Sequence, residues 1–173
     1  TKGGSMKLED AKAFAADLIA LLNPHCERIE IAGSVRWGKP EVKDIDLVAI
    51  PKLYDILMPG LDWHLDSMLG SHIIRHRQPK RWGERYKAFT LDGIPVDLFL
   101  VRPPAQWGVI LALRTGPDAY SQYLVTQALR LGLQVKDGAV SARSNLSQYI
   151  AMPEEEDFFK ALGLAWVPPE ERA

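Results

Sequence analysis

Two periods of hydrophobic and polar positions alternate along this chain. From Leu8 to Leu22, Leu8, Ala11, Ala15, Leu18, Ile19 and Leu22 recur at helical spacing, and Asn23-Pro24 ends the run. "RIEIAGS" (28–34) switches to strand alternation and stops at Gly33-Ser34, predicting a strand that enters a tight turn. The polar stretch "SVRWGKPEVK", with Gly38 and Pro40, reads as loop, and "DIDLVAI" (44–50) as the next strand. A short helix is predicted over Leu61–Leu69. Three strand-like pieces follow, "HIIRHR", "ERYKAFTL" and "IPVDLFLV", the last two joined by Asp92-Gly93, a hairpin turn signal. Pro103-Pro104 breaks the pattern. Beyond it, "AQWGVILAL" and "AYSQYLVTQALRL" read as helices, "LQVKDGAV" as a hairpin about Asp137-Gly138, "EEEDFFKALGL" as a short helix with acids in its first turn, and "VPPEERA" as a tail.

The pattern predicts an α+β chain: a mixed or antiparallel sheet with flanking helices over residues 6–104, then a smaller, mostly helical lobe with a short hairpin over 105–173. "TKGGS" before Met6 reads as a cloning remnant and is left out of the fold reasoning. Composition adds little to this. The 173 residues are 47% hydrophobic and 25% charged, near the globular average, and the formal net charge is −1, so any basic surface must be local. A lone cysteine, Cys26, excludes an internal disulfide and a thiolate-rich metal site, and implies a reducing, cytoplasmic setting. No apolar run reaches the length of a membrane span.

The acids change the picture. In a strand, residues i and i+2 share a face at about 3.3 Å of rise per residue, so Asp44 and Asp46 are expected side by side at the edge of the core. A third acid, Asp97, stands alone among the apolar residues of "IPVDLFLV". If that strand lies next to the first, the three carboxylates converge, and such an oxygen set suits two hard divalent ions, Mg²⁺ or Mn²⁺. The plainer alternative is that each acid is paired with a lysine or arginine. Upstream, a Gly-Ser turn after a strand offers a hydroxyl and backbone N–H groups to phosphate oxygens.

Taken together, these motifs resemble the DNA polymerase X family, the family of DNA polymerase beta, within the nucleotidyltransferase superfamily. "GSVRWGKPEVKDIDLVAI" is similar to that family's Gly-Ser signature with its two aspartates, and "IPVDLFLV" to the strand bearing the third. "LRTGPDAYSQYL" resembles the Thr-Gly segment beside the incoming nucleotide, and "EEEDFFKALGLAWVPPEER" the closing segment. The resemblance implies a palm followed by a thumb, as in the reduced members of the family. It implies a monomeric DNA polymerase that extends a DNA primer from dNTPs at gaps or breaks. Asp44, Asp46 and Asp97 would be the catalytic metal ligands. Gly33, Ser34, Arg114, Thr115, Gly116 and Asp118 would meet the nucleotide. Departures are also visible. Trp37 follows Arg36 where the family's polymerases usually have a second arginine, so Arg36 or Lys43 is expected to supply triphosphate charge. Leu113-Arg114 replaces an aromatic pair that helps to reject ribose, and Val125 replaces a template-tracking arginine. These leave open NTP use, template-independent end transfer, and transfer to RNA, protein or a small molecule. A non-catalytic nucleic-acid-binding module is the alternative outside catalysis.

Residues 75–87, "RHRQPKRWGERYK", concentrate Arg75, Arg77, Lys80, Arg81, Arg85 and Lys87 against one acid, Glu84. A ribbon presenting them beside the acids would track a DNA backbone, with Trp82 and Tyr86 free to stack on bases. The alternative is a solvated hairpin without a specific partner. His25, His64, His72 and His76 show no metal-ligand spacing, and Trp63, Trp107 and Trp166 read as core.

Overall fold

The structure, a computed structural model, describes residues 4–53 and 60–172. Its architecture is α+β, built on a five-stranded mixed sheet and a separate three-stranded sheet. The larger sheet runs in the order β2 (Cys26–Ile31), β4 (Ile45–Pro51), β7 (Ile94–Leu100), β6 (Tyr86–Leu91), β5 (Ile74–His76). β4 and β7 pair in parallel at its centre and the other neighbours are antiparallel. Leu47, Val48 and Ala49 of β4 are all buried, because a central strand covered on both faces has no solvent side on which to alternate.

One face of the sheet, through Ile45, Leu47, Ala49, Val96, Leu98 and Leu100, packs on α1 (Leu8–Leu22) and α3 (Leu61–Gly70). The other face carries Asp46, Val48, Asp97 and Phe99. At the C-terminal ends of the strands this face is covered by Trp107 and Leu111 of α4 (Trp107–Leu113), which packs on Val48 and Val101. A second core joins α4, α5 (Asp118–Arg130) and α6 (Glu155–Ala161) through Val109, Leu124, Ala128, Phe158 and Phe159. Both turns read from Asp-Gly pairs are present. Asp92-Gly93 and Asp137-Gly138 have positive φ throughout (52° and 80°; 52° and 76°) and close tight hairpins.

Several local expectations differ from the structure. The polar loop contains a one-turn helix, α2 (Gly33–Arg36), and a two-residue strand, β3 (Glu41–Val42), which pairs with β1 (Met6–Lys7). β2 ends at Ile31, so Gly33 and Ser34 open α2 and do not end the strand. Asp44 lies on the bend before β4, and only Asp46 belongs to the strand. The small lobe is less helical than its pattern suggests. β8 (Leu133–Lys136) and β9 (Ala139–Ala142) form the expected hairpin, and β10 (Asn145–Tyr149) adds a third strand. Every residue of β10 is exposed, so no buried period marked it in the sequence. Trp63, expected in the core, is 58% exposed, and Arg172 in the expected tail is fully buried. Among the described residues, no helix is long and apolar enough to cross a membrane.

Candidate active site

The two strand-borne acids face each other in register. Asp46 on β4 is the Cα partner of Asp97 on β7, and Leu47 pairs with Leu98 beside them. Asp46 is the second residue of β4 and Asp97 the middle residue of β7. Burial, then the charges of Asp44 and Asp97, push the Asp46 carboxyl up to about 7. Gly33 is packed against that carboxylate. Its φ is +55°, and a Cβ there would lie 1.8 Å from Asp46 Oδ2, so only glycine fits. Ala32 N–H donates to the Asp46 carbonyl at 2.9 Å, which fixes the glycine turn against β4.

Two clefts open around these acids. One, of about 460 Å³, is lined by Gly33, Ser34, Trp37, Lys39, Asp44, Asp46, Arg114, Gly116, Asp118 and Ser121 among others. The other, of about 670 Å³, is lined by Asp46, Arg81, Arg85, Tyr86, Asp97, Phe99, Arg114 and Asp137 among others. They meet at Asp46, Phe99, Leu113 and Arg114. The Arg114 guanidinium lies 4.0 Å above the Phe99 ring, a cation–π contact that holds a positive charge between the clefts. In the first cleft Ser34 Oγ is buried without a hydrogen-bond partner, an unmet polar group of the kind that a ligand oxygen satisfies. The Gly33 N–H is not free in the same way, because it donates to the Arg114 carbonyl at 2.6 Å.

Both oxygens of Asp97 accept hydrogen bonds. Arg77 Nη1 donates to its Oδ2 at 2.8 Å, and the Tyr86 hydroxyl donates to its Oδ1 at 2.5 Å. Among the described residues, no three metal-ligating side chains stand together as they would around an ion. The chemistry of the donor set still fits a hard cation. Asp46 is a crowded, half-buried carboxylate whose charge is unfavourable where it stands, and Gly33 leaves it room.

The other expected residues are placed as follows. Arg36 is bound bidentately to Glu155, at 2.7 and 2.8 Å, and also donates to Thr115 Oγ1 at 2.8 Å. Thr115 is itself wholly buried, behind the cleft wall. Lys43 is exposed on the bend and lines neither cleft, whereas Lys39, four residues earlier, lines the first. The basic segment is not one continuous ribbon. β5 stops at His76, Lys80 and Arg81 lie on a 3₁₀ turn (Pro79–Arg81), and β6 begins at Tyr86. Arg81 and Arg85 face the second cleft, and with Lys80 they surround a shallow depression. Arg75 lies at the opposite end of the β5–β6 pair, near Thr90 and Asp92. Lys87 departs most from expectation. It is 4% exposed, bonded to Asp62 at 3.1 Å and stacked over Trp82, because a lysine inside a sheet must bring its own counterion.

Sequence reasoning missed a second charged centre. Glu155, at the start of α6, accepts from Arg36 and also from Arg172, at 2.9 Å. Burial alone would raise the Glu155 carboxyl, but the two guanidinium partners outweigh it and hold it below the ordinary carboxylate range. Arg172 is enclosed by Tyr120, Phe159 and Trp166. Only the position of "EEED" at a helix start hinted at this. Its reach to Arg36, 119 residues away, has no local signal. Phe99 and Lys39 also enter the site without a sequence motif of their own, and Tyr86, expected to stack on bases, instead stacks on Phe99 and donates to Asp97.

Comparison with known proteins gives one finding. Residues 110–173 match the family model of the DNA polymerase beta thumb. This segment, just over a third of the chain, covers most of α4, all of α5 and α6, the three-stranded sheet and Arg172, and supports a relation to the X-family polymerases. It does not include the strands that bear Asp46 and Asp97. No curated protein matches the chain.

Proposed function

We propose that the protein is a metal-dependent nucleotidyltransferase that adds nucleotides from a nucleoside triphosphate to the 3′-hydroxyl of a DNA primer, in gap filling or end repair. The observation that carries this reading is the register of Asp46 and Asp97 on adjacent parallel strands, with a glycine turn fitted against Asp46. The thumb-like segment, folded over the end of the same sheet, supports a DNA polymerase-related role.

On this reading the first cleft takes the nucleotide. Ser34 Oγ receives a phosphate oxygen, and Lys39 and Arg114 neutralise the triphosphate in place of Lys43 and Arg36. Asp118 and Ser121, which also line this cleft, would meet the sugar and base. The second cleft takes the primer end, with Arg81 and Arg85 on its backbone. Asp44, Asp46 and Asp97 would hold Mg²⁺ or Mn²⁺, and two such ions, when bound, favour the attacking alkoxide and offset the leaving-group charge. The chain's own part is positioning and electrostatics, because phosphoryl transfer needs little covalent help.

The test is extension of labelled single-stranded, recessed and one-nucleotide-gap primers with each dNTP and NTP in Mg²⁺ or Mn²⁺. Templated extension is expected. Asp97→Asn should lower it at least a thousandfold, which corresponds to about 4 kcal/mol of barrier, while leaving the circular dichroism spectrum unchanged. Undiminished extension by Asp97→Asn would sink the assignment. Products that ignore the template would redirect it to an end transferase.

A further inference from the structure

We infer that Arg77 couples nucleic-acid binding to metal binding by holding Asp97 until a phosphate group takes its place as partner. The inference rests on the reading of Asp97 as a metal ligand and deepens it.

The geometry has three parts. Each oxygen of Asp97 already accepts a hydrogen bond, one from Arg77 and one from Tyr86, so an arriving cation meets the Arg77 charge beside this carboxylate. Arg77 is the donor able to leave. It sits just past the end of β5, and its guanidinium side chain is 30% exposed, against 12% for that of Asp97. Its neighbours in the chain, Lys80 and Arg81, belong to the basic turn that flanks the second cleft, so a strand bound there brings phosphates within the same region.

The cost of leaving a charge unpaired links the two events. If Arg77 swings to a phosphate alone, Asp97 is left as a nearly buried carboxylate facing Asp46, which is unfavourable. If a cation arrives alone, it must compete with a guanidinium already in place. When both arrive, one ion pair becomes two: Arg77 with phosphate and Asp97 with the metal. Each ligand therefore favours the other, and the coupling must be reciprocal. The device keeps the third carboxylate neutralised while no nucleic acid is bound.

The test uses Mn²⁺ as probe, followed by electron paramagnetic resonance of the full chain at low salt, with and without a recessed DNA duplex and with no nucleotide. In the wild type, duplex should tighten Mn²⁺ binding by about tenfold, and Mn²⁺ should tighten duplex binding by the same factor. In Arg77→Gln, Mn²⁺ binding without duplex should already equal that of the wild type with duplex, and adding duplex should improve it less than twofold. Arg77→Lys, which keeps the charge, should restore part of the coupling and guards against a folding defect in the glutamine variant. Lys80→Gln removes a charge of the same basic turn without touching Asp97. It should weaken duplex binding yet leave Mn²⁺ binding without duplex unchanged. Equal Mn²⁺ affinity of the wild type with and without duplex overturns the inference, as does an Arg77→Gln variant with wild-type Mn²⁺ affinity. These outcomes are separable from failure of the proposed function, which is read from primer extension by Asp97→Asn.

Discussion

Gly33 shows how a single residue can be dictated by a site. A methyl group there would overlap Asp46 Oδ2 at 1.8 Å, and φ of +55° adds strain for any L side chain. Gly33→Ala is expected to lower stability by roughly 1–3 kcal/mol and to depress extension far beyond that loss, because Asp46 must move. Urea denaturation together with primer extension would check both. Glu155 is the opposite case, a residue that reads as an ordinary helix start. Its folded-state acidity is raised by Arg36 and Arg172, so the stability it contributes is present above the usual carboxylate range and is lost as pH falls through its depressed value. Glu155→Gln leaves two guanidinium groups without their anion and should cost about 3–5 kcal/mol at neutral pH. The gap to wild type should narrow in strongly acid buffer, measured by urea denaturation across pH. A constant gap would mean that the ion pairs do not carry the effect. Asp46 and Asp97 could be found in the sequence because acids inside apolar strand patterns are conspicuous. Glu155 and Arg172 could not, because acids at a helix start and a charged tail look ordinary until their partners are known.

Helices and strands followed their local patterns where burial was one-sided. α1 keeps its apolar stripe, with Ala11, Ala15, Leu18 and Leu22 buried and Glu9 and Asp10 in its first turn, where the helix dipole favours acids. The Asp-Gly hairpins needed only turn chemistry. β10 escaped because a fully exposed strand has no hydrophobic period to read. The approach of α4 to α6 was equally hidden. Gly108 on α4 lies so near the residue preceding α6 that a Cβ would come within 2.0 Å of the Glu154 carbonyl oxygen. Gly108→Ala is expected to destabilise by about 1–3 kcal/mol through overpacking, although alanine is the better helix former. Its thermal midpoint would show this. A rise in midpoint would indicate that the helices can separate freely.

Across the whole molecule, the packing of α4 on the sheet is joined by ion pairs between residues far apart in the chain: Arg28 with Glu154, Arg36 with Glu155, and Arg85 with Asp137. The first and last are largely exposed and contribute little, whereas the Arg36–Glu155 pair is nearly buried. With a net charge of −1, the proposed nucleic-acid contact relies on the local basic turn, so binding should fall steeply with salt. Lys80→Gln and Arg81→Gln should each flatten the logarithmic salt dependence by about one unit, whereas Lys87→Gln, whose charge is bound to Asp62, should not. Fluorescence anisotropy over a salt series would separate the three. By itself, the sequence determined the α+β alternation, the two Asp-Gly hairpin turns and the presence of isolated acids within apolar strand patterns. Each of these depends on residues a few positions apart. The tertiary structure alone decided what each charge does. Arg36 is taken by Glu155, Arg77 by Asp97 and Lys87 by Asp62, and Arg172 is buried among aromatic rings. The physical reason is that a charge withdrawn from water requires a counterion within a few ångströms, and nearness in space between distant positions is written in no local pattern.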